Sequence, residues 1–506
     1  MDTEFLRYKF ENIYDGVITK TKFKIGIRHI QVCYMFLCSV VMGVMRGSIG
    51  IAILCVSDHE RSGAISQVEI HEWSRRIEGT ILASFFFGYA LLLLPAELFL
   101  QQVAEKFVLT AVLLINGAIT AAMPTIINKG GWIAACNALF ILGMTQACVT
   151  PANQQLLSNW LPPNEKRGFN CFVQGGLFIG MMIGMPVSGL LSQSRLGWEL
   201  IFYSQAMMTF SMAAIWGLLT ASSPEQHKAI GDAEQEFIKE SKKFYRKRRS
   251  QPPWRRVLHS TEFWAVAAVH ASLNAIFIFY VVDLPAYLKA YHVPLTDATL
   301  HVVSALAMLW LGQALATYAV RGARHIGLFD YFLDIKHFRK FINGLSVFGT
   351  VLGLTFLPRF VSLWDNLGVA IIMVVMGILG VQFSGFLENH RDMTQNYSGT
   401  LLVMTSAVAS VVGAAVPLAT GLLVADDIML FQTDDRRWRV VLSLLSGLCV
   451  VSGVVYAVWG SAERQKWDDQ EIHKYGFTNG ADSLELQETF TTKGKDFDNE
   501  TYLAIS

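Results

Sequence analysis

The chain is built from long apolar runs separated by short polar breaks. Twelve runs can be drawn, over 30–56, 79–100, 107–127, 131–157, 169–192, 198–220, 262–286, 299–320, 338–358, 363–387, 398–425 and 438–460. Most exceed the roughly 18 residues that mark a membrane span. A spanning segment has no water to satisfy its backbone, so each is predicted to be a helix. The fifth run carries Gly175, Gly176, Gly180, Gly184 and Gly189. In lipid such residues let helices approach closely, whereas in a soluble helix they would only weaken it. One long polar stretch splits the runs six and six. The predicted order is an N-terminal segment (1–29), a six-helix bundle (30–220), a central loop (221–261), a second six-helix bundle (262–460) and an acidic tail (461–506). The predicted fold class is therefore an all-α membrane protein with twelve transmembrane helices in two bundles.

Composition narrows this picture. Hydrophobic residues make up 53% of the 506 and charged ones 16%, against roughly 25% charged in soluble domains. So few charges cannot coat the several soluble domains that this length would otherwise suggest. A net charge of +1 gives no reason to expect a nucleic-acid partner. The seven cysteines all lie in or beside apolar runs with no C-x-x-C pair, so they read as small core residues. The first 28 residues are charged throughout and hold no apolar centre, which argues against a cleaved signal peptide.

Charge distribution sets the expected orientation. With the termini and central loop on one side, that side holds about 30 of the 41 basic residues, and positive residues stay cytoplasmic. Both termini are therefore expected in the cytoplasm. The basic run Lys242, Lys243, Arg246, Lys247, Arg248 and Arg249 reads as a topogenic, solvated loop, or as a contact for anionic lipid in the bilayer. The tail beyond Gln465 is acidic and reads as disordered.

The candidate chemistry is sparse. Arg46 lies two-thirds of the way through the first run. An arginine in lipid costs at least about 2.5 kcal/mol, so it must face a cavity or a partner. It is either a clamp for a substrate anion or half of a structural ion pair. Gln146 and Asn153, two turns apart, make the fourth run polar on one face. Asn274 and His270 lie one turn apart in the seventh run, and Asp283 sits near its outer end. Asn274, Gln146 and Asn153 are candidate substrate contacts beside Arg46. Asp283, His270, Glu97 and Glu388 are candidates for coupling or gating, with Asn389, His390 and Asp392 in the loop after the tenth run. No phosphate loop, H-E-x-x-H or Ser-His-Asp pattern stands out, so an enzyme is not expected.

Two six-helix halves are the plan of the major facilitator superfamily. The motifs go further. Gly79-Thr-Ile-Leu-Ala-Ser84-Phe85-Phe86-Phe-Gly88-Tyr89, Trp160-Leu-Pro162-Pro163-Asn-Glu165-Lys166, and Gly197-Trp198 with Phe202-Tyr203 form an ordered series. Leu284-Pro285-Ala-Tyr287-Leu288, Arg339-Lys340, Gly385-Phe386-Leu-Glu-Asn389-His390-Arg-Asp392 and Ser461-Ala-Glu463-Arg-Gln465-Lys-Trp467 continue it. From about Arg46 to Trp467 the chain resembles the anion/phosphate–cation symporter family, as a divergent member. The resemblance implies alternating-access transport of a small anion, an organic carboxylate or inorganic phosphate, with Arg46 on the family's anion-contacting arginine. It implies no cofactor, Na+ or H+ as the candidate coupling ion, a monomer, and a plasma or endolysosomal membrane. There are departures. Gln146 stands where several relatives carry a titratable glutamate, Leu273 where the vesicular glutamate transporters carry arginine, and Leu82 where they carry histidine. The helix-two "P-G-G" is Pro95-Ala96-Glu97 here. Transport-inactive sensing and transport of neutral solutes remain the alternatives.

Overall fold

A computed structural model describes residues 26–57, 68–99, 103–243, 253–325, 335–363, 365–394, 397–424, 435–465 and 467–468. Among them, nine helices are long and apolar enough to cross a membrane. One of these, Glu105–Trp160, holds two predicted spans that fold back at Gly131, whose φ of 65° is natural only to glycine. Gly197–Leu219 and the shorter apolar helix in Asp365–Phe386 complete the twelve. In chain order the spans are α1 (Ile27–Val56), α2 (Arg75–Phe99), α3 and α4 (the two arms of Glu105–Trp160), α5 (Pro163–Leu191) and α6 (Gly197–Leu219). The second half holds α7 (Thr261–Ala290), α8 (Leu295–His325), α9 (Ile335–Leu363), α10 (Asp365–Phe386), α11 (Ser398–Leu423) and α12 (Asp435–Trp459).

Each half repeats the same packing. α1 lies against α5, and α7 against α11; α2 packs on α4, and α8 on α10; α3 meets α6, and α9 meets α12. Small residues make this possible. A Cβ on Gly180 of α5 would collide with the Val40 carbonyl and the Gly43 backbone of α1. The halves meet along α2 with α11 and α5 with α8. α1 and α7 are the most enclosed spans, with 83% and 78% of their apolar windows buried, against 33% in α9. They therefore line the axis where any central path must run.

The face that carries Gly26 and Asp468, where the described residues begin and end, is braced differently from the expectation of plain loops. The central loop contains a helix, Asp232–Lys243, which docks on the first half. Its Glu234, only 4% exposed, accepts from the Ile27 and Arg28 backbone N–H groups at the start of α1 and pairs with the Arg28 guanidinium. A carboxylate at a helix N-terminus satisfies orphan donors and complements the dipole. Arg28 also pairs with Glu165 of the α4–α5 loop. The solvated-loop reading concerns 242–249, of which 242 and 243 close this helix and the rest, with 250–252, lie outside the described residues. The expectation for the tail is corrected at its first residues. Trp467 and Asp468 are buried, and Asp468 accepts from Thr394 and pairs with Arg464. Residues 1–25 and 469–506 lie outside the described set.

Candidate functional site: the Arg46 centre between the two halves

Arg46 is a half-buried charge within α1. Its Nη2 donates to Gln146 Oε1 of α4 at 3.4 Å. Its guanidinium carbon lies 4.8 Å from the centre of the Tyr89 ring and 5.9 Å from that of Phe85, both on α2. These are cation–π distances. Its Nε is buried without a hydrogen-bond partner, and no carboxylate among the described residues pairs with it. The contrast with other arginines is clear: Arg28, Arg75, Arg339 and Arg464 each pair with Glu or Asp.

The neighbours of Arg46 are neutral and tied to one another. Gln146 Nε2 donates to Asn116 Oδ1 on α3, and Asn116 Nδ2 donates to Thr145 Oγ1. Seven residues along α4, Asn153 Nδ2 donates to Ser39 Oγ, which lies seven residues before Arg46 on α1. The two-turn spacing therefore puts both α4 side chains against α1, Gln146 beside the charge and Asn153 away from it. Asn153 Oδ1 is buried without a partner. Below this centre Leu93, Ala147 and Ala407 form an apolar cluster apart from the main core, with Tyr89, Leu92 and Val403 packed on it. It joins α2, α4 and α11 across the two halves.

The second half presents a different polar group. His270 Nδ1 and His390 Nε2 lie 3.1 and 2.8 Å from the same hydroxyl, Thr405 Oγ1 of α11. His390 Nδ1 lies 3.2 Å from the Leu387 carbonyl, which can only accept, so Nδ1 carries the hydrogen. In the neutral ring Nε2 then accepts from Thr405, whose one hydrogen is shared with the Leu402 carbonyl at 3.1 Å, and Thr405 accepts from His270 Nδ1–H. The tautomers follow from hydrogen-bond logic alone. Asn274 Nδ2 donates to the Ala409 carbonyl of α11 at 2.8 Å. Among the described residues it bonds to nothing in the first half.

The remaining candidates lie elsewhere. Glu388 pairs with Arg391 on the exposed surface. Asp392 holds Arg339, 2% exposed, through Nε and Nη2 at 3.0 and 2.9 Å. Asn389 donates to the Tyr456 hydroxyl at 3.1 Å. Three motifs separated in sequence, Arg339-Lys340, the Asn389-His390-Arg-Asp392 loop and the 461–468 segment, so converge on one brace beneath the second half; Gln465 N–H completes it by donating to the Met393 carbonyl. The Glu97 side chain lies outside the described residues. Asp283 sits at the opposite face beside Arg75 and Glu78 of α2. Asn116, Thr405, Tyr89, Arg75 and Glu78 were not singled out from sequence as site residues. Tyr89 stood inside a quoted motif; Arg75 and Glu78 fell just outside the predicted span.

Two pseudo-equivalent six-helix halves with polar side chains between them define a membrane transporter. The model of the Major Facilitator Superfamily matches residues 35–417, and the chain belongs to that superfamily; the relatives that follow are members of its anion/phosphate–cation symporter family. It is 25% identical over 499 residues to a protein of Drosophila melanogaster provisionally named inorganic phosphate cotransporter, covering 93% of this chain and 92% of that one. It is 26% identical to sialin of Homo sapiens, covering 80% of each. With vesicular glutamate transporter 2 of Bos taurus it shares 25% identity, over 84% of this chain and 73% of that one. Among solved structures, a bacterial homologue of the lysosomal transporter Spinster superposes with a TM-score of 0.65 at 12% identity, covering 85% and 96%. A D-xylose–proton symporter gives 0.64 at 12%, covering 86% and 100%. These two speak for the fold alone.

Proposed function

We propose that the chain moves a small anion, an organic carboxylate or inorganic phosphate, across a membrane by alternating access, with Arg46 as its contact. One observation carries this reading: Arg46 is a membrane-embedded guanidinium surrounded by neutral groups. A permanently charged group in that position is costly without a counter-charge. A bound anion supplies it, and guanidinium forks onto carboxylate or phosphate. Gln146 holds the guanidinium in place through its own bond to Asn116. The names of the relatives, cotransporters of phosphate and transporters of glutamate among them, agree in substrate charge. The face that carries Gly26 and Asp468 is the cytoplasmic one in this reading, the chain works as a monomer, and the membrane is the plasma or an endolysosomal one. H+ or Na+ is the coupling ion.

The test is uptake by purified protein in liposomes, with labelled phosphate, sialic acid and glutamate, under imposed pH, sodium or voltage gradients. Uptake of at least one anion is expected, lost in Arg46→Ala and reduced in Arg46→Lys, which keeps the charge but not the fork. Folded protein that carries no anion, or an Arg46→Ala variant that carries it normally, would sink the proposal.

A further inference from the structure

A second buried charge cluster lies at the face opposite Gly26 and Asp468. There α1 packs on the π turn of α7 and α2 on α11, closing the two halves together. Arg75 Nη1 pairs with Glu78, and Glu78 also accepts from the Ser57 hydroxyl at the end of α1. Arg75 Nη2 lies 3.9 Å from Asp283 Oδ1. The pair joins the two halves, whereas Arg28–Glu165, Arg339–Asp392 and Arg464–Asp468 stay within one. Packing here is tight. A Cβ on Gly79 would land on the Pro417 carbonyl of α11, and one on Gly50 would lie 3.3 Å from the Val282 backbone. Asp283 also ends a π-helical turn, Phe279–Asp283, directly before Pro285. Such turns break the regular ladder of hydrogen bonds and recur at moving, functional parts of helices.

Among the described residues the charges do not balance. Those that bear on Asp283 are Arg75 and Glu78 from α2 and the Thr420 hydroxyl of α11; Tyr280 and Tyr287 lie on its own helix. Glu78 is 4% exposed and Asp283 2% exposed. One guanidinium therefore serves two carboxyls that are almost cut off from water. Asp283 Oδ2 is moreover buried with no hydrogen-bond partner. An uncompensated charge in such a place is strongly unfavourable. We infer that this closed contact between the halves, bridged by Arg75 and Asp283, is a proton-binding gate: Asp283 takes one proton from the opposite-face water as the halves close there, and returns it when they part. The step breaks no bond other than water–proton exchange at the carboxyl. It neutralises the surplus charge and leaves Arg75 to Glu78. The inference rests on the alternating-access reading, and it makes acid at the opposite face a closing force. With one proton bound per closure, the closed-to-open ratio changes by at most about tenfold per pH unit.

Hydrogen exchange of the full chain in lipid nanodiscs tests this without any substrate. Peptides covering the start of α2 and 276–290 of α7 are followed at roughly pH 5 and pH 8, corrected for intrinsic exchange. Several-fold greater protection at the acid value is expected. Asp283→Asn, which imitates the protonated acid, should be protected equally at both. Glu78→Gln gives an independent check, because Arg75 then matches Asp283 one to one and the acid dependence should vanish. Wild-type protection that ignores pH overturns the proposal, as does a folded Glu78→Gln variant that keeps the wild-type dependence. Since no anion is present, failure here is distinguishable from failure of the anion reading, which uptake alone decides.

Discussion

Two polar centres, one in each half, are built on opposite terms. In the first, Arg46 carries a charge with only neutral neighbours, Gln146 at 3.4 Å and the rings of Tyr89 and Phe85. In the second, His270, Thr405 and His390 form a chain in which each donor meets an acceptor. A satisfied network is a source of rigidity, since its cost of burial is already offset. A guanidinium without its counter-charge is an unfinished site. In the function proposed above, the first half holds the substrate contact and the second supplies the frame against which it moves.

The sharpest way to break this comparison is to finish the first half artificially. Gln146→Glu would place a carboxylate beside Arg46. A charge-assisted pair of this kind is worth about 1.5–3 kcal/mol. Anion affinity at neutral pH should fall by about tenfold or more. Acid should restore it, because the introduced carboxyl releases the guanidinium once it is protonated. Measuring the uptake KM of the variant from neutral to acid conditions checks both signs. If KM stays at the wild-type value throughout, Arg46 is not the anion contact.

A middling effect is expected from the second half, and it shows in stability. His390 lies in the loop between α10 and α11, and burial pushes its imidazole down to about 4 from its usual 6.5. A histidine held neutral contributes its full stability above the unfolded value. That stability is lost as pH falls from about 6.5 through about 4, to the extent of roughly 3 kcal/mol. Thermal unfolding of the detergent-purified protein should therefore weaken across that window. In His390→Gln the decline should be shallower by the histidine's share, from a lower starting value because the bond to Thr405 is altered. An unchanged slope in that variant would mean that another group carries the acid sensitivity.

How much of this was readable beforehand follows from the physics of each feature. Long apolar runs have one outcome in lipid, so the twelve spans were legible to within a few residues. Arg46 was legible because a permanent charge inside such a run has no bland explanation. Arg75 and Glu78 were not, because they precede Gly79, where the apolar run begins, and the helix starts one turn earlier than hydropathy implies. Thr405 and Asn116 were missed for another reason. Small polar residues are common in spans, and only the packing of distant helices reveals what they bond to. The helix over Asp232–Lys243 did leave a signal, Glu234 and Ile238 one turn apart, which a loop's composition masked.

The smallest expected effect concerns Asn274, which composition alone would put beside the substrate. Its Nδ2 is committed to the Ala409 carbonyl, and the amide packs against Gly413 of the same helix. That carbonyl already sits within a helix, so losing the extra donor should cost about 0.5–1.5 kcal/mol of stability. The expected result for Asn274→Ala is a slightly lower melting temperature with uptake KM changed less than about twofold, well under the tenfold step of 1.4 kcal/mol. A several-fold rise in KM with normal folding would instead show that this residue reaches the anion during transport. The substrate site would then draw on both halves, and the division between a binding half and a framing half would have to be given up.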